Sequence, residues 1–371
     1  MPFSAADYQY MARAIQLAKK GKYTTHPNPR VGCIIVKDNQ IIGEGWHKHA
    51  GQAHAEINAL NSASESTQGA TAYVTLEPCS HTGKTPPCAN ALIESGVSRV
   101  VIAMQDPNPQ VAGQGIQRLV DARIDVESGL LEEQARLLNP GFIKRMEQGL
   151  PWVRIKLAMS LDGRTAMASG ESKWITGAEA RQDVQRLRAS ADVILTGIGT
   201  VIADDPSLNV RIDAKDLRID GKILQPKRVI LDSHLKTPLD SRLFSLEGQN
   251  LIATTKDHAS LIKKYQEQGV DVLLFNKTRE GHLPLKTVLQ KLAQQEVNEI
   301  HVEAGATLCG ALIQESLVDE IVLYVAPTFM GSNARGLLDL PGLDKMSDKV
   351  ELSIQDIRAV GDDWRITALL N

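Results

Sequence analysis

Apolar residues recur along this chain at two different spacings, and the switches between them mark its elements. Tyr8, Met11, Ile15 and Ala18 stand three and four apart behind Ser4, the pattern of a helix with a capping side chain at its start and Gly21 as its stop. Two strand-like runs, 31–36 and 40–46, then flank Lys37, Asp38 and Asn39 and read as a hairpin. Beyond it the pattern alternates: helix 53–63, strand 71–76, helix 88–95, strand 99–105, helix 115–122 and a short strand at 124–127. Such alternation predicts an α/β fold, a largely parallel sheet with helices on both faces.

Residues 132–149 are charged and helical, and Gly149, Leu150 and Pro151 punctuate their end before a new strand at 152–159. The domain boundary belongs there, giving units 1–149 and 150–371. A second alternating series has strands at 193–196, 228–231, 250–253, 270–275, 299–303 and 320–326. Its helices fall at 178–189, 259–268, 285–294 and 307–315. No repeat of roughly 20–50 residues relates the halves, so they are two different α/β domains and not duplicates. The polar stretch 213–225 reads as a surface excursion.

Length agrees with this division, because 371 residues exceed what one core usually supports. Hydrophobic residues at 43% and charged residues at 23% exclude a largely disordered chain. A net charge of −3 argues against a nucleic-acid partner, which would need a concentrated basic surface. The longest apolar runs, 31–36 and 100–104, fall far short of the ~20 residues of a membrane helix. Residues 1–20 lack the charged start, apolar centre and small-residue cleavage site of a signal peptide, so a cytoplasmic protein without a membrane partner is expected. Four cysteines are too few for a disulfide framework, and in a reducing compartment a close pair serves a metal. That singles out Cys79 and Cys88.

Three pieces lie in order: His54-Ala55-Glu56, Glu77-Pro78-Cys79 and Cys88. H-x-E followed by P-C-x-x-C is the signature of zinc-dependent deaminases. Three protein ligands leave a fourth position for water, and zinc lowers that water's pKa from ~15.7 to about 7. A carboxylate beside the metal then shuttles protons. The expected ligands of one zinc ion per chain are therefore His54, Cys79 and Cys88, with Glu56 as the catalytic acid/base. Eight residues separate the two cysteines where the signature has two, and that loop is rich in turn formers. His81 lies close enough to compete for coordination, but a catalytic site keeps one position open. A closed structural zinc site is the bland alternative, and it would want four Cys or His ligands. Cys33 and Cys309, within apolar runs, read as small core residues.

Longer stretches carry a resemblance. Residues 25–32 (THPNPRVG), 54–56, 75–88 (TLEPCSHTGKTPPC) and 105–113 (QDPNPQVAG) resemble the bifunctional deaminase/reductase family of riboflavin biosynthesis. Residues 156–166 (KLAMSLDGRTA), 203–206 (ADDP), 229–233 (VILDS) and 302–305 (VEAG) are similar to its reductase half. The resemblance implies a cytidine-deaminase-like three-layer αβα domain followed by a dihydrofolate-reductase-like α/β domain. It implies deamination of a pyrimidine ribosylamine phosphate, then NADPH-dependent reduction of the ribosyl group to ribityl. It makes Asn28, His47 and Lys84 holders of the deaminase substrate, and it makes the long loop between the cysteines a family feature. From the residues alone, Lys84 is equally a solvated charge and Asn28 a turn residue between two prolines.

The second half carries no G-x-G-x-x-G at a strand–helix junction, so a Rossmann dinucleotide fold is not supported. Two glycine turns, 196–200 and 305–308, follow strands and can present backbone N–H groups to a pyrophosphate. The family resemblance places NADPH near Ala158, Trp174, Thr200, Asp204, Ser233, Gly305, Ala306, Thr307 and Leu308. It places the sugar-phosphate substrate at Ser172, Arg188, Leu208, Arg211 and Glu303. Read alone, Arg188 is an exposed charge on a helix that also carries Arg181 and Arg186. A nucleic-acid base deaminase and a non-catalytic zinc module are the rival functions; low basicity opposes the first, and turnover separates the second. A homo-oligomer is allowed, its size undetermined by sequence.

Overall fold

The computed structural model describes residues 3–80, 87–109 and 111–370. The chain divides into two compact units, Met1–Gly149 and Leu150–Asn371.

The first unit begins with α1 (Ala5–Ala18), followed by strands β1 (Gly32–Lys37) and β2 (Gln40–Trp46). Then come α2 (Ala55–Asn61), β3 (Thr71–Val74), α3 (Cys88–Glu94), β4 (Arg99–Ile102), α4 (Gln114–Asp121) and β5 (Asp125–Ser128). Two short helices, α5 (Glu132–Arg136) and α6 (Pro140–Gln148), end the unit. Ser4 caps α1 reciprocally: its hydroxyl accepts from the Asp7 amide, and the Asp7 carboxylate accepts from the Ser4 backbone N–H. Tyr8, expected on the buried stripe, is 48% exposed. The inward position is taken by Asp7, whose carboxylate accepts from Tyr73 Oη (2.6 Å) and Arg99 Nη1 (2.8 Å). The single helix expected over 132–149 is broken, because Pro140 has no N–H to continue a ladder and starts a new helix instead.

The five strands lie in the order β2-β1-β3-β4-β5. β1 is antiparallel to β2 and β3, and β3, β4 and β5 run parallel, so the sheet is mixed where a largely parallel one was expected. Asp38 and Asn39 both take positive φ (48° and 60°), the backbone that a tight β1–β2 hairpin demands. Alternate residues go to opposite faces: Ile34, Tyr73 and Val101 meet α1 and α6, whereas Cys33, Ala72 and Val100 meet α2, α3 and α4. Gly43 and Gly45 let α2 settle on β2; a Cβ at Gly45 would stand 2.3 Å from Ala55 O and Ala59 N.

The second unit starts with β6 (Trp152–Ser160), β7 (Arg164–Ala166), α7 (Ala178–Ala189), β8 (Val193–Gly197) and α8 (Ile198–Asp204). It continues through α9 (Ala214–Leu217), β9 (Lys227–Leu231), α10 (Arg242–Ser245), β10 (Asn250–Thr254), α11 (Ala259–Glu267) and β11 (Val270–Leu274). Next are α12 (Leu285–Ala293), β12 (Glu299–Val302), α13 (Ala306–Gln314) and β13 (Glu320–Ala326), then β14 (Arg335–Gly336), β15 (Leu352–Val360) and β16 (Asp363–Leu370). Nine strands form one sheet, β11-β10-β9-β8-β12-β6-β13-β16-β15, parallel except where β16 pairs with β13 and β15. The last hairpin is absent from the sequence-based expectation: most of β15 is exposed, so burial imposes no strict apolar alternation on it. Gly197 ends β8 and directly caps α8, which makes 197–200 a helix start and not a free glycine turn. Parallel strands bring their carboxyl ends to one edge, where α/β sheets bind ligands.

Candidate active sites

His54 is the N-cap of α2 and Cys88 the first residue of α3, so two helix starts meet at one point. His54 Nδ1 lies 3.2 Å from Cys88 Sγ and 3.7 Å from Cys79 Sγ, and the three donor atoms lie within 4.8 Å of one another. Donors bound tetrahedrally to one zinc ion stand about 3.6 Å apart, so the trio fits that ion. The cluster has three members among the described residues, the number a catalytic site uses. The bond from the Cys88 thiol draws Cys79 down, and the same bond, with burial, pushes Cys88 up. The two sulfurs thus share one proton, the place a divalent cation would take.

Glu56, in the first turn of α2, is buried, and its carboxyl is within hydrogen-bonding reach of Cys88. Burial lifts it to about 7. A cation held by the three donors would pull it back down. Glu56 lies beside the donors without being one of them.

Asn28 and His47 come together. The Ala53 carbonyl can only accept, so His47 Nδ1 carries the proton (3.2 Å), and its Nε2 accepts from Asn28 Nδ2 (3.1 Å). Burial lowers the His47 pKa, consistent with a neutral ring. Its ring sits edge-on to His54 at 5.3 Å. His47 thus fixes the orientation of the Asn28 amide. Lys84 and His81 lie outside the described residues.

Sequence alone gives Glu77 no task. Its buried carboxylate accepts four backbone N–H bonds, from Asp106 and Gly113 at one oxygen and from Gly115 and Ile116 at the other, between 2.9 and 3.2 Å. Gly115 permits this, since a Cβ there would stand 2.0 Å from Pro78 O. The turn that presents Cys79 is therefore tied to the start of α4. A lone acid after the apolar strand 71–76 was the available signal.

In the second unit, Ala158, Ser172, Trp174, Arg188, Thr200 and Asp204 line one cavity of about 1160 Å³. So do Leu208, Arg211, Ser233, Glu303 and Gly305 to Leu308. That exceeds the ~1,000 Å³ upper range of single-ligand pockets and suits two ligands side by side. Gly305 caps α13 and has no side chain to bond the helix's first N–H groups. Arg188 is not the exposed charge it is when read alone: it is 8% exposed and grips Glu303 twice, Nε to Oε1 at 2.5 Å and Nη2 to Oε2 at 3.0 Å. Burial opposes Glu303's charge, but Arg188 holds its carboxyl well below the usual range. Arg211, on the rim, has no side-chain hydrogen bond among the described residues. Asp204 pairs with Lys173 at 3.2 Å. Lys156, to which the sequence assigned no role, also lines the cavity, and burial lowers its pKa. Its parity with Arg154 and Ala158 along β6 was the clue.

Two family models match, one to each unit. Residues 4–104 match the cytidine and deoxycytidylate deaminase zinc-binding region, and residues 151–366 match the RibD C-terminal domain. The riboflavin biosynthesis protein RibD of Escherichia coli K12 is 51% identical over 362 residues, covering 96% of this chain and 97% of that protein. This chain belongs to the RibD family. The Haemophilus influenzae RibD is 50% identical over 99% of the chain and 98% of its own length. Among solved structures, Acinetobacter baumannii RibD superposes with a TM-score of 0.90 at 48% identity, covering 99% of both chains. A Thermotoga maritima protein described as a diaminohydroxyphosphoribosylaminopyrimidine deaminase/5-amino-6-(5-phosphoribosylamino)uracil reductase superposes at 0.87 with 32% identity and 99% coverage of both. The first unit is the cytidine-deaminase-like domain expected, and the second, expected from the resemblance to be a dihydrofolate-reductase-like α/β domain, is an α/β RibD reductase domain.

Proposed function

We infer that this RibD-family chain is a bifunctional riboflavin-biosynthesis enzyme. Its first unit hydrolytically deaminates 2,5-diamino-6-ribosylamino-4(3H)-pyrimidinone 5′-phosphate, and its second reduces the ribosyl chain of the product to ribityl with NADPH. The observation that carries this is the pairing, in one chain, of a three-donor His/Cys/Cys cluster beside a buried carboxyl with a cavity large enough for cofactor and substrate together.

Zinc held by His54, Cys79 and Cys88 would supply an acidified water at neutral pH. Glu56 takes that water's proton at its carboxylate and passes it to the ring nitrogen; it then takes the proton of the hydroxyl added to the ring carbon and delivers it to the departing ammonia as the carbonyl forms. Asn28, oriented by His47, receives a hydrogen bond from the pyrimidine, and Lys84 meets the phosphate. In the second unit NADPH would supply the hydride. Ala158, Trp174, Thr200, Asp204 and Ser233 line its seat, and the backbone from Gly305 to Leu308 receives its pyrophosphate at the start of α13. Ser172, Leu208, Arg211 and the Arg188–Glu303 pair hold the ribosyl phosphate, with Arg211 the cation open to it. No helix among the described residues is long and apolar enough to cross a membrane. Thiolate ligands suit the reducing cytoplasm, where this enzyme is placed.

The test supplies that ribosylamine phosphate to the zinc-loaded protein, follows ammonia, then adds NADPH and follows its absorbance. Ammonia release followed by NADPH consumption is expected. Ammonia without NADPH consumption would refute the second activity, and no ammonia would refute the first.

A further inference from the structure

A line of ionisable side chains runs along one face of the nine-stranded sheet, away from its apolar cluster. Glu299, His301 and Glu303 occupy alternate positions on and just after β12, so the pleat turns all three to the same face. Arg154, paired in register with His301, and Lys156 come from the neighbouring β6, Tyr324 from β13 and Arg188 from α7. Arg154 is committed to Glu320 (2.9 Å) and Glu299 (3.6 Å), and Arg188 to Glu303. His301 is fully buried, and neither ring nitrogen makes a well-formed hydrogen bond among the described residues. Glu303 Oε1 stands 3.4 Å from its Nε2. A buried imidazole left unpaired is costly, and a small closure of that gap pairs it.

We propose that His301 is a positioning residue for the reductase step, donating its Nε2–H from behind to Glu303 and holding that carboxylate at the cavity floor. The proposal rests on the assignment of Glu303 to the substrate site. The physical need arises on binding. A phosphate that draws on the Arg188 guanidinium loosens its grip on the Glu303 carboxylate, and an anion losing its donors turns away or takes a proton. Glu303 lines the cavity whereas His301 does not, so His301 meets that carboxylate from within the fold. Burial, and after it the nearby cations Arg154 and Arg188, lower its pKa, which favours a fixed N–H donor over a proton source.

The test compares His301→Leu, His301→Gln and Glu303→Gln in the full-length, zinc-loaded protein, with pre-deaminated substrate and NADPH. Gln keeps an N–H near the position of Nε2, whereas Leu fills the space without one. His301→Leu should lower the reductase kcat about tenfold or more while both KM values stay within about threefold. The acid limb of its kcat profile should move to higher pH, because a carboxylate that loses a donor gains proton affinity. Ammonia release should be unchanged, and His301→Gln should recover most of the rate. A His301→Leu enzyme with normal kcat, beside an impaired Glu303→Gln, would overturn the proposal. Equal losses in both His301 variants, tracking a lowered melting temperature, would reduce His301 to packing and overturn it too. An unimpaired Glu303→Gln would instead remove the site assignment beneath it.

Discussion

Glu56 and Glu77 are both buried carboxyls near the cysteines, yet their surroundings give them opposite work. Glu77 has all its acceptor capacity spent on four backbone amides, so it is committed to holding a loop. Glu56 faces the three donors and is lifted by burial, so its proton is exchangeable. Glu56→Ala should abolish ammonia release while zinc content, measured by atomic absorption, and NADPH oxidation on deaminated substrate both persist. Loss of zinc in that variant would instead make Glu56 a ligand. His54, Glu56, Cys79 and Cys88 were legible in the sequence because zinc deamination needs those side chains at short, recognisable spacings. Glu77 and His47 were not given these tasks, because their partners come from loops that only folding brings near.

At the scale of elements, the zinc cluster depends on how helices sit against strands. α2 carries His54 and Glu56, and it lies so close to β2 that Gly43 and Gly45 leave no room for a side chain. Gly45→Ala should therefore displace α2, lower zinc retained after dialysis and cut ammonia release about tenfold or more, leaving NADPH oxidation intact. Normal zinc content and rate would show that α2 can shift without cost. Most helices and strands were legible from their periodicity to within a few residues. The short elements β7, α8, α9, α10 and β14 and the final hairpin were not foreseen; Pro140 splits a helix whose charge pattern looks continuous, and β15 is too exposed for its apolar residues to alternate.

For the whole molecule, each unit holds a carboxylate largely withdrawn from solvent and bound by arginine, Asp7 in the first and Glu303 in the second. Burial alone would raise both, but Arg99, Tyr73 and Ser4 at Asp7, and Arg188 at Glu303, hold them well below the ordinary value of about 4. Because the folded-state values are depressed, the stability these groups lend is present above about pH 4 and fades as pH falls through the lower folded values. Melting temperature should drop on acidification from about pH 5 to about pH 3, and Asp7→Asn should flatten that drop for the first unit. An unchanged slope would remove Asp7 from the account. A strong zinc chelator should stop ammonia release while NADPH oxidation on deaminated substrate continues, since the two sites draw on different residues. By itself the sequence determined the two α/β units, a boundary near residue 149, the family, and His54, Cys79 and Cys88 as the candidate zinc donors, because local periodicity and close-spaced motifs are written in neighbouring residues. Only the tertiary structure decided that Arg188 is a buried partner of Glu303, that His47 serves Asn28, and that His301 stands behind the cavity floor. Those are pairings between strands and helices distant in the chain, where burial, and not spacing, sets what each side chain can do.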